Sequence, residues 1–247
     1  MSTGQLEQLK QIRNMLTRFM MMYKFALQEV ETKIDILQEE FQLLHDYNPI
    51  EHTKSRIKTP ESIAKKLYRK GGAGSLGEVR ESVRDIAGIR ITCSFVSDIY
   101  QISRMLQAQD DLEVVSVKDY IKNPKPNGYK SLHLLVKVPV FMSDRQESVY
   151  VEIQIRTIAM DFWASLEHKI FYKFNRAVPQ RLLDELKEAA ETANELDEKM
   201  ERLHNEVQQM KTETSLPAHG LNLDLMGENM KLPIPNQLLT LLKQEEG

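Results

Sequence analysis

The chain has 247 residues, 41% of them hydrophobic and 28% charged, with a formal net charge of -3. This composition excludes a disordered chain and predicts one main domain, and the charge excludes a surface that is basic throughout, so anion sites require locally clustered lysines and arginines. Cys93 is the only cysteine, which excludes an intramolecular disulfide and a cysteine-rich zinc site and fits a reducing cytoplasm.

The N-terminal third is predicted to be helical and then basic. Apolar residues recur at steps of three and four over residues 6–44, which indicates one long helix or two consecutive helices. Charged residues are distributed along the N-terminal segment, which has no apolar block like that of a signal peptide. No segment of the chain approaches the ~20 apolar residues of a membrane span, so we expect a soluble protein with no membrane partner. After Asn48-Pro49 comes a basic segment in which Thr59 caps a helix, Pro60 begins it and Gly71-Gly72 close it.

The middle of the chain alternates helical and strand-like patterns. A short helix is predicted at 76–83, a strand at 85–96, a helix at 97–107 and a strand at 112–121. A loop rich in proline, asparagine and glycine follows at 122–130, and two strands at 131–140 and 150–157 are joined by a polar connection. This order predicts an α+β fold with a mixed sheet and helices packed on it.

The C-terminal part returns to helices. Residues 159–174 have helical spacing with Met160, Trp163 and Ile170 facing inward, and Pro179 begins a long helix whose narrow apolar stripe is typical of packing against a partner helix. We predict a single domain at 1–212 with helical extensions at both ends. Residues 213–247 are predicted to be a loosely structured tail, with a short helix at 237–243.

The basic segment could bind phosphates. Arg56 and Lys58 lie on an extended lead-in, and Ser62, Lys66 and Arg69 follow at steps of four and three on one face of the next helix. A hydroxyl, an ammonium and a guanidinium beside the positive end of a helix dipole suit a polyphosphate. A solvated basic face or a nucleic-acid patch would give the same pattern.

Polar residues interrupt the next strand. Asp85 precedes the apolar run as a turn or cap residue, or as part of a site, and Gly88 suggests a bulge or a close backbone approach. Arg90 lies among apolar residues, so its guanidinium needs a partner, either an acid or a flat ring on which to stack.

The last two strands carry further candidates. Tyr129, beside the Asn127-Gly128 turn, can present its ring to a flat ligand, whereas His133 alone is typical of a structural histidine. In the sequence YVEIQIRT, alternation places Tyr150, Glu152, Gln154 and Arg156 on one face, which is either a solvated face or the floor of a site.

These candidates fit one kind of chemistry together. If the strands of Asp85 and Glu152 are neighbours, two carboxylates meet beside the basic segment, as Mg²⁺ requires when it binds carboxylates and phosphate oxygens. A carboxylate pair, a cluster of cations and an aromatic stacker indicate phosphoryl transfer between nucleotides. No GxxxxGK[ST] or GxGxxG motif is present, so the site is neither a P-loop nor a Rossmann dinucleotide site.

Four ordered segments carry a family resemblance: HTKSRIKTPESIAKKL, RDIAGIRITCSFVSDIY, KDYIKNPKPNGYKSLHL and VEIQIRTIAMDFWASLEHKIFYK. They resemble the synthetase domain of the RelA/SpoT-type family, over residues 23–210, and most nearly its stand-alone small alarmone synthetases of the RelP-like branch. The resemblance implies a nucleotidyltransferase-like fold and a GTP pyrophosphokinase of the stringent response. Such an enzyme transfers the β,γ-pyrophosphate of ATP to the 3′-hydroxyl of GDP or GTP, giving (p)ppGpp and AMP.

The resemblance also implies roles for individual residues. Asp85 would ligate Mg²⁺, and Glu152 would sit at the attacking hydroxyl as metal ligand, base or both. On the ATP side, Arg56 and Arg90 would lie around the adenine, and the phosphates would be bound by Lys58, Ser62, Lys66 and Arg69. On the acceptor side, Tyr129 would stack on the guanine, with four residues nearby: Lys125, Lys130, His133 and Gln154.

The resemblance extends to assembly and regulation. It implies a cytoplasmic homotetramer, which fits the long amphipathic helices. His52, Lys54 and Asp161 differ from the residues with which some relatives bind their product or single-stranded RNA, so we expect neither allosteric activation nor RNA binding. Two alternatives stay open: a catalytically silent RNA-binding regulatory module, and an enzyme that transfers a nucleotidyl group and releases pyrophosphate.

Overall fold

A computed structural model describes residues 3–45, 47–72, 74–171 and 178–214. The predicted tail at 213–247, with its short helix at 237–243, lies outside the described residues apart from its first two positions, which end the last helix. The helices are α1 Thr3–Leu44, α2 Pro60–Arg69, α3 Leu76–Ser82, α4 Val96–Gln107, α5 Ile158–Phe171 and α6 Gln180–Thr214. The strands are β1 Ile50–Ile57, β2 Ala87–Cys93, β3 Glu113–Asp119, β4 Leu132–Phe141 and β5 Gln146–Thr157.

In the described residues the five strands form one mixed sheet in the order β1-β2-β5-β4-β3. The β2–β5 pair is parallel, and the pairs β1–β2, β4–β5 and β3–β4 are antiparallel. The predicted α+β class with a mixed sheet and flanking helices is therefore confirmed. The strand β1 had been predicted only as an extended lead-in, because most of its side chains are exposed and show no buried alternation.

One face of the sheet packs into the core. Alternate residues of β2, β4 and β5, such as Ile89, Leu134 and Ile153, are buried together with apolar side chains of α1 and α4. Cys93 is also fully buried. The opposite face carries the polar residues of the same strands. This division leaves one side of the sheet available for a site.

Local signals set the boundaries of α2. The Thr59 hydroxyl accepts a hydrogen bond from the backbone N–H of Ser62 at 3.3 Å, Pro60 occupies the first turn, and Gly71 takes a φ of 77° just beyond the end. These are the cap, start and stop residues that the sequence predicted. The helix therefore holds its basic face at a defined position beside β1.

Two local predictions were wrong. Gly88 forms no bulge, because the β2–β5 register is regular through it and an added Cβ would meet only an ordinary 3.7 Å contact with the Glu152 carbonyl oxygen. Ile170 is 60% exposed instead of facing inward, while Met160 and Trp163 are buried as predicted. Periodicity alone could not show that the sheet no longer covers the end of α5.

The long helix α6 packs at its start and is exposed further along. Ala190, with the partly buried Leu186 and Ala193, contacts Trp163 of α5. From Leu196 to Met210 the apolar stripe is 46–63% exposed. None of the described helices is long and apolar enough to cross a membrane.

Candidate active site

A cleft of about 570 Å³ opens at the polar face of the sheet. The strand register places the backbone of Gly88 beside Glu152 and that of Arg90 beside Gln154, and His133 pairs with Gln154 from the other side. The parallel pairing of β2 with β5 thus places these residues side by side, although they lie far apart in the sequence. The cleft is lined by Lys66, Lys70, Glu81, Ser82, Arg84, Asp85, Ser116, Lys118, Tyr120, Lys125, His133, Leu134, Leu135 and Glu152.

Asp85 lies two residues before the start of β2 and is held by two lysines. Its Oδ2 accepts hydrogen bonds from Lys58 Nζ at 2.7 Å and from Lys66 Nζ at 2.6 Å. Burial acts to raise the pKa of Asp85, but the hydrogen bonds and charges of the two lysines outweigh it and hold the pKa below its usual value. Asp85 Oδ1 is buried and accepts no hydrogen bond within the described residues. A cation or donor group at Oδ1 would satisfy it.

Glu152, on β5, is the second carboxylate of the cleft. Its Oε2 accepts a hydrogen bond from Gln154 Nε2 at 2.8 Å, and its Oε1 lies 3.5 Å from His133 Nδ1. Burial and the nearby Asp85 charge act to raise the pKa of Glu152, yet His133 and Gln154 hold it below its usual value. Glu152 is therefore ionised at neutral pH, and the two carboxylates line the same cleft.

Tyr129 reaches the site from the loop before β4. The side chain of Asn127 accepts a hydrogen bond from the backbone N–H of Tyr129 at 3.2 Å, and Gly128 adopts a φ of 87° that disfavours other residues. The Tyr129 hydroxyl lies 2.8 Å from His133 Nε2, and Lys125 Nζ lies 4.4 Å from the centre of the Tyr129 ring. Tyr129, His133 and Lys125 thus form one aromatic and cationic wall.

The structure brings most of the predicted residues together. Five line the cleft: Lys66, Asp85, Lys125, His133 and Glu152. Lys58, Gln154 and Tyr129 each bond to one of these. Arg90 Nη1 donates to Asp161 Oδ1 at 2.6 Å. Of the two predicted partners for Arg90, the acid is therefore confirmed, and stacking on a flat ring stays a prediction.

The remaining predicted residues lie outside this group. Arg56 is exposed on the edge strand opposite Gly88, and Ser62 and Arg69 are exposed on α2. Lys130 points to α6, where its ammonium bonds to Asn194.

Sequence reasoning missed two polar residues beside the cleft, Arg156 and Asp161. Arg156 is almost fully buried, and its guanidinium bonds to Asp161, Tyr129 and Gln154. The sequence pattern placed Arg156 on the polar face of its strand without a role. Asp161 was noted only as a residue that differs from those with which some relatives bind their product or RNA. An arginine next to the end of a buried strand, followed five residues later by an acid, was the available signal.

A metal site here would need ligands from a substrate. Within the described ranges, no group of three or more histidine, cysteine, aspartate or glutamate side chains is placed to hold a metal ion. Asp85 and Glu152 supply two carboxylates, and the unsatisfied Asp85 Oδ1 supplies a free ligand atom. This set fits a hard cation that takes its other oxygens from phosphate and water.

The sequence matches a known family in the region that builds this cleft. The profile of a region found in RelA/SpoT proteins matches residues 55–177. The chain is 54% identical over 207 residues to the GTP pyrophosphokinase YwaC of Bacillus subtilis. The aligned region covers 84% of this chain and 99% of that protein.

Two crystal structures from Bacillus subtilis share the fold. Small alarmone synthetase 2 superposes with a TM-score of 0.71 at 55% identity, covering 77% of this chain and 98% of that one. Small alarmone synthetase 1, bound to its product pppGpp, superposes with a TM-score of 0.73 at 39% identity, covering 78% of this chain and 98% of that one. With its sequence and fold matched over nearly the whole length of these relatives, the chain belongs to the RelA/SpoT family.

Proposed function

We propose that this protein is a GTP pyrophosphokinase. It transfers the β,γ-pyrophosphate of ATP to the 3′-hydroxyl of GDP or GTP and releases AMP, forming the alarmone (p)ppGpp. Relatives that match nearly their whole length are named GTP pyrophosphokinases, and one solved relative holds pppGpp. The synthetase domain is proposed to span residues 1–212.

The observation that carries this proposal is the pairing of carboxylates and cations in one cleft. Asp85 and Glu152 lie among lysines and arginines that include Lys66, Lys118 and Lys125. Cations can offset the charge of a triphosphate, while a carboxylate at the hydroxyl can orient it for attack. A site that only bound phosphate would gain nothing from two partly buried negative charges.

The donor side of the proposed site is formed by α2, β1 and β2. Lys58 and Lys66, both already bonded to Asp85, would turn their remaining donors to the ATP phosphates, with Ser62 and Arg69 on the same helix. Arg56 and Arg90 are proposed to flank the adenine, because a planar guanidinium stacks well on a base. The attacked atom is the β-phosphorus, and the bond to the AMP oxygen breaks.

The acceptor side is formed by β4, β5 and the loop that carries Tyr129. The Tyr129 ring would stack on the guanine, with Lys125, Lys130, His133 and Gln154 as the proposed neighbours of the acceptor nucleotide. Glu152 would accept a hydrogen bond from the 3′-hydroxyl and take up its proton as the new bond to phosphorus forms. His133 and Gln154 keep the Glu152 carboxylate oriented for this step.

The metal is proposed to be Mg²⁺, held by Asp85 and Glu152. When bound it would supply positive charge that offsets the negative charge developing on the ATP phosphates. The unsatisfied Asp85 Oδ1 favours this assignment. Removal of divalent metal with a chelator should stop turnover, and added Mg²⁺ should restore it.

The assembly is proposed to be a cytoplasmic homotetramer without RNA or a membrane as partner. Exposed apolar residues follow one stripe on the first half of α1 and another on the second half of α6. They are Leu6, Leu9, Ile12 and Met15, and Leu196, Met200, Leu203 and Val207. Helices of this kind are typical of subunit contacts.

The test of the proposed function is a product analysis. The pure protein is incubated with Mg²⁺, ATP and either GDP or GTP, and the nucleotides are resolved by anion-exchange chromatography. AMP that forms in step with a more highly phosphorylated guanosine nucleotide supports the proposal. Pyrophosphate release would indicate nucleotidyl transfer, and two intact nucleotides with salt-dependent RNA affinity would indicate the silent RNA-binding module.

A further inference from the structure

Asp161 bridges two arginines that come from neighbouring strands. It lies in the first turn of α5, and its Oδ1 accepts hydrogen bonds from Arg90 Nη1 at 2.6 Å and from Arg156 Nη1 at 3.1 Å. The side chain of Asp161 is only 17% exposed. The two guanidiniums carry like charges, so this single carboxylate offsets their mutual repulsion.

Arg156 continues the connection toward the acceptor side. Its Nη2 donates to the Tyr129 hydroxyl at 2.7 Å and to Gln154 Oε1 at 2.8 Å. The side chain is 7% exposed, so water competes little for these bonds. A planar guanidinium can serve three oxygens in fixed directions, which the ammonium of a lysine cannot do.

The same hydrogen bonds reach Glu152. Since Arg156 donates to the Tyr129 oxygen, the Tyr129 hydroxyl is free to donate to His133 Nε2, 2.8 Å away. His133 then carries its proton on Nδ1, the nitrogen that faces Glu152. A second route is hydrogen-bonded throughout: Gln154, whose Oε1 accepts from Arg156, donates through Nε2 to Glu152 Oε2 at 2.8 Å. The polar connection therefore runs from Arg90 through Asp161 and Arg156 to the carboxylate at the proposed reaction centre.

We propose that Asp161 and Arg156 are positioning residues that couple the two nucleotide sites. This inference rests on the proposed function, in which Arg90 contacts the adenine of ATP and Tyr129 contacts the guanine of the acceptor. Neither Asp161 nor Arg156 needs to touch a nucleotide. Together they fix the guanidinium of Arg90 relative to the hydroxyl of Tyr129.

Coupling of this kind has a thermodynamic signature. Arg90 and Tyr129, at the two ends of the connection, are only half-buried and keep some side-chain freedom. Binding of either nucleotide orders one end and, through Asp161 and Arg156, part of the other end, so the second nucleotide loses less conformational entropy. ATP and GDP should therefore strengthen each other's binding by the same factor, because linkage is reciprocal. A residue that only stabilised the fold would not produce this mutual effect.

The variant Asp161→Asn tests the coupling, and the chain offers a matched control. Glu147 lies on the same strand as Arg156 and bridges Arg80 and Arg145 at 3.0 and 3.3 Å with a side chain that is 24% exposed, yet it does not line the cleft. Glu147→Gln therefore makes the same carboxylate-to-amide change between two arginines, away from the nucleotides.

The affinity for a non-hydrolysable ATP analogue is measured by calorimetry with and without saturating GDP. We expect GDP to tighten binding about fivefold or more in the wild-type protein and in Glu147→Gln, and less than about twofold in Asp161→Asn. We also expect kcat to fall about tenfold or more in Asp161→Asn, with a melting temperature close to that of the control. Arg156→Lys, which keeps the charge, should lose the same coupling and serves if Asp161→Asn melts early.

The outcomes separate this inference from the proposed function. If the wild-type protein makes product but shows no coupling, or if both variants keep the coupling and kcat of the control, the inference is overturned and the proposed function stands. If the wild-type protein neither binds the nucleotides nor makes product, both are overturned.

Discussion

Replacing Glu152 with glutamine exchanges one carboxylate oxygen for an amide NH2 and removes the negative charge, while the shape of the side chain is kept. Gln154 Nε2 can still donate to the remaining amide oxygen, because its present bond to Oε2 is 2.8 Å long and needs only an acceptor. The amide NH2 can face His133 if the ring changes tautomer. The fold therefore keeps its local partners.

The expected loss falls on the chemical step. A positioned base contributes about 10²- to 10⁴-fold to a rate, so kcat should fall by about that factor. Since each factor of ten is about 1.4 kcal/mol, the activation barrier should rise by about 3–5 kcal/mol. The stability of the folded state should change by only about 1 kcal/mol, since one charge-assisted hydrogen bond becomes neutral. The rate and the stability thus respond very differently.

The assay is steady-state turnover with ATP and GDP, together with a thermal melt of each protein. Glu147→Gln is the control, because it makes the same change on the same strand outside the cleft. A Glu152→Gln variant that retained more than about a tenth of the wild-type kcat would remove Glu152 from the centre of the mechanism.

Three further predictions concern other parts of the site and the fold. Lys66→Met removes one of the two ammonium partners of Asp85 and should lower kcat/KM for ATP about 10- to 100-fold, as steady-state kinetics can measure. Gly128→Ala should cost about 1–3 kcal/mol in urea unfolding and raise the KM for GDP, because φ is 87° and the new Cβ would lie 2.6 Å from the Ala190 Cβ. Burial raises the pKa of Asp197 to about 6, above its unfolded value of about 3.9, so Asp197 costs stability as the pH rises from about 4 through 6. Asp197→Asn should therefore be more stable than the wild-type protein at pH 8 by about 1 kcal/mol, after allowance for screening by water, and equal to it near pH 4.

Each of these has a clear contrary result. Unchanged kinetics for ATP in Lys66→Met would exclude that lysine from the donor site. A Gly128→Ala variant with wild-type stability would show that neither the positive φ nor the close approach to Ala190 constrains this position. A stability difference for Asp197→Asn that is constant from pH 4 to pH 8 would contradict the raised pKa.

The elements of the fold were largely predictable because most carry local signals. The caps of α2 and the alternation in β4 and β5 depend on residues close together in the sequence. The edge strand β1 was harder, since its identity as a strand comes from pairing with β2 rather than from its own exposed side chains. Pairing is a long-range property that periodicity does not show.

Most residues of the candidate site could be predicted from the sequence, but the contacts that connect them could not. Asp85 and Glu152 were expected to converge only if their strands were neighbours, and the parallel β2–β5 pairing supplies that condition. The bridge from Arg90 to Asp161 spans 71 residues of sequence. Its existence depends on where α5 begins relative to the end of β5, which no local pattern specifies.

The position of a labelled phosphate shows whether pyrophosphate passes from ATP to a 3′-hydroxyl. ATP labelled at the β-phosphorus is incubated with Mg²⁺, the protein and GDP, and in parallel with 3′-deoxy-GDP. We expect the label to appear in the guanosine product with unlabelled AMP, and 3′-deoxy-GDP to yield no product. Label released as free pyrophosphate, or product formed from 3′-deoxy-GDP, would contradict it.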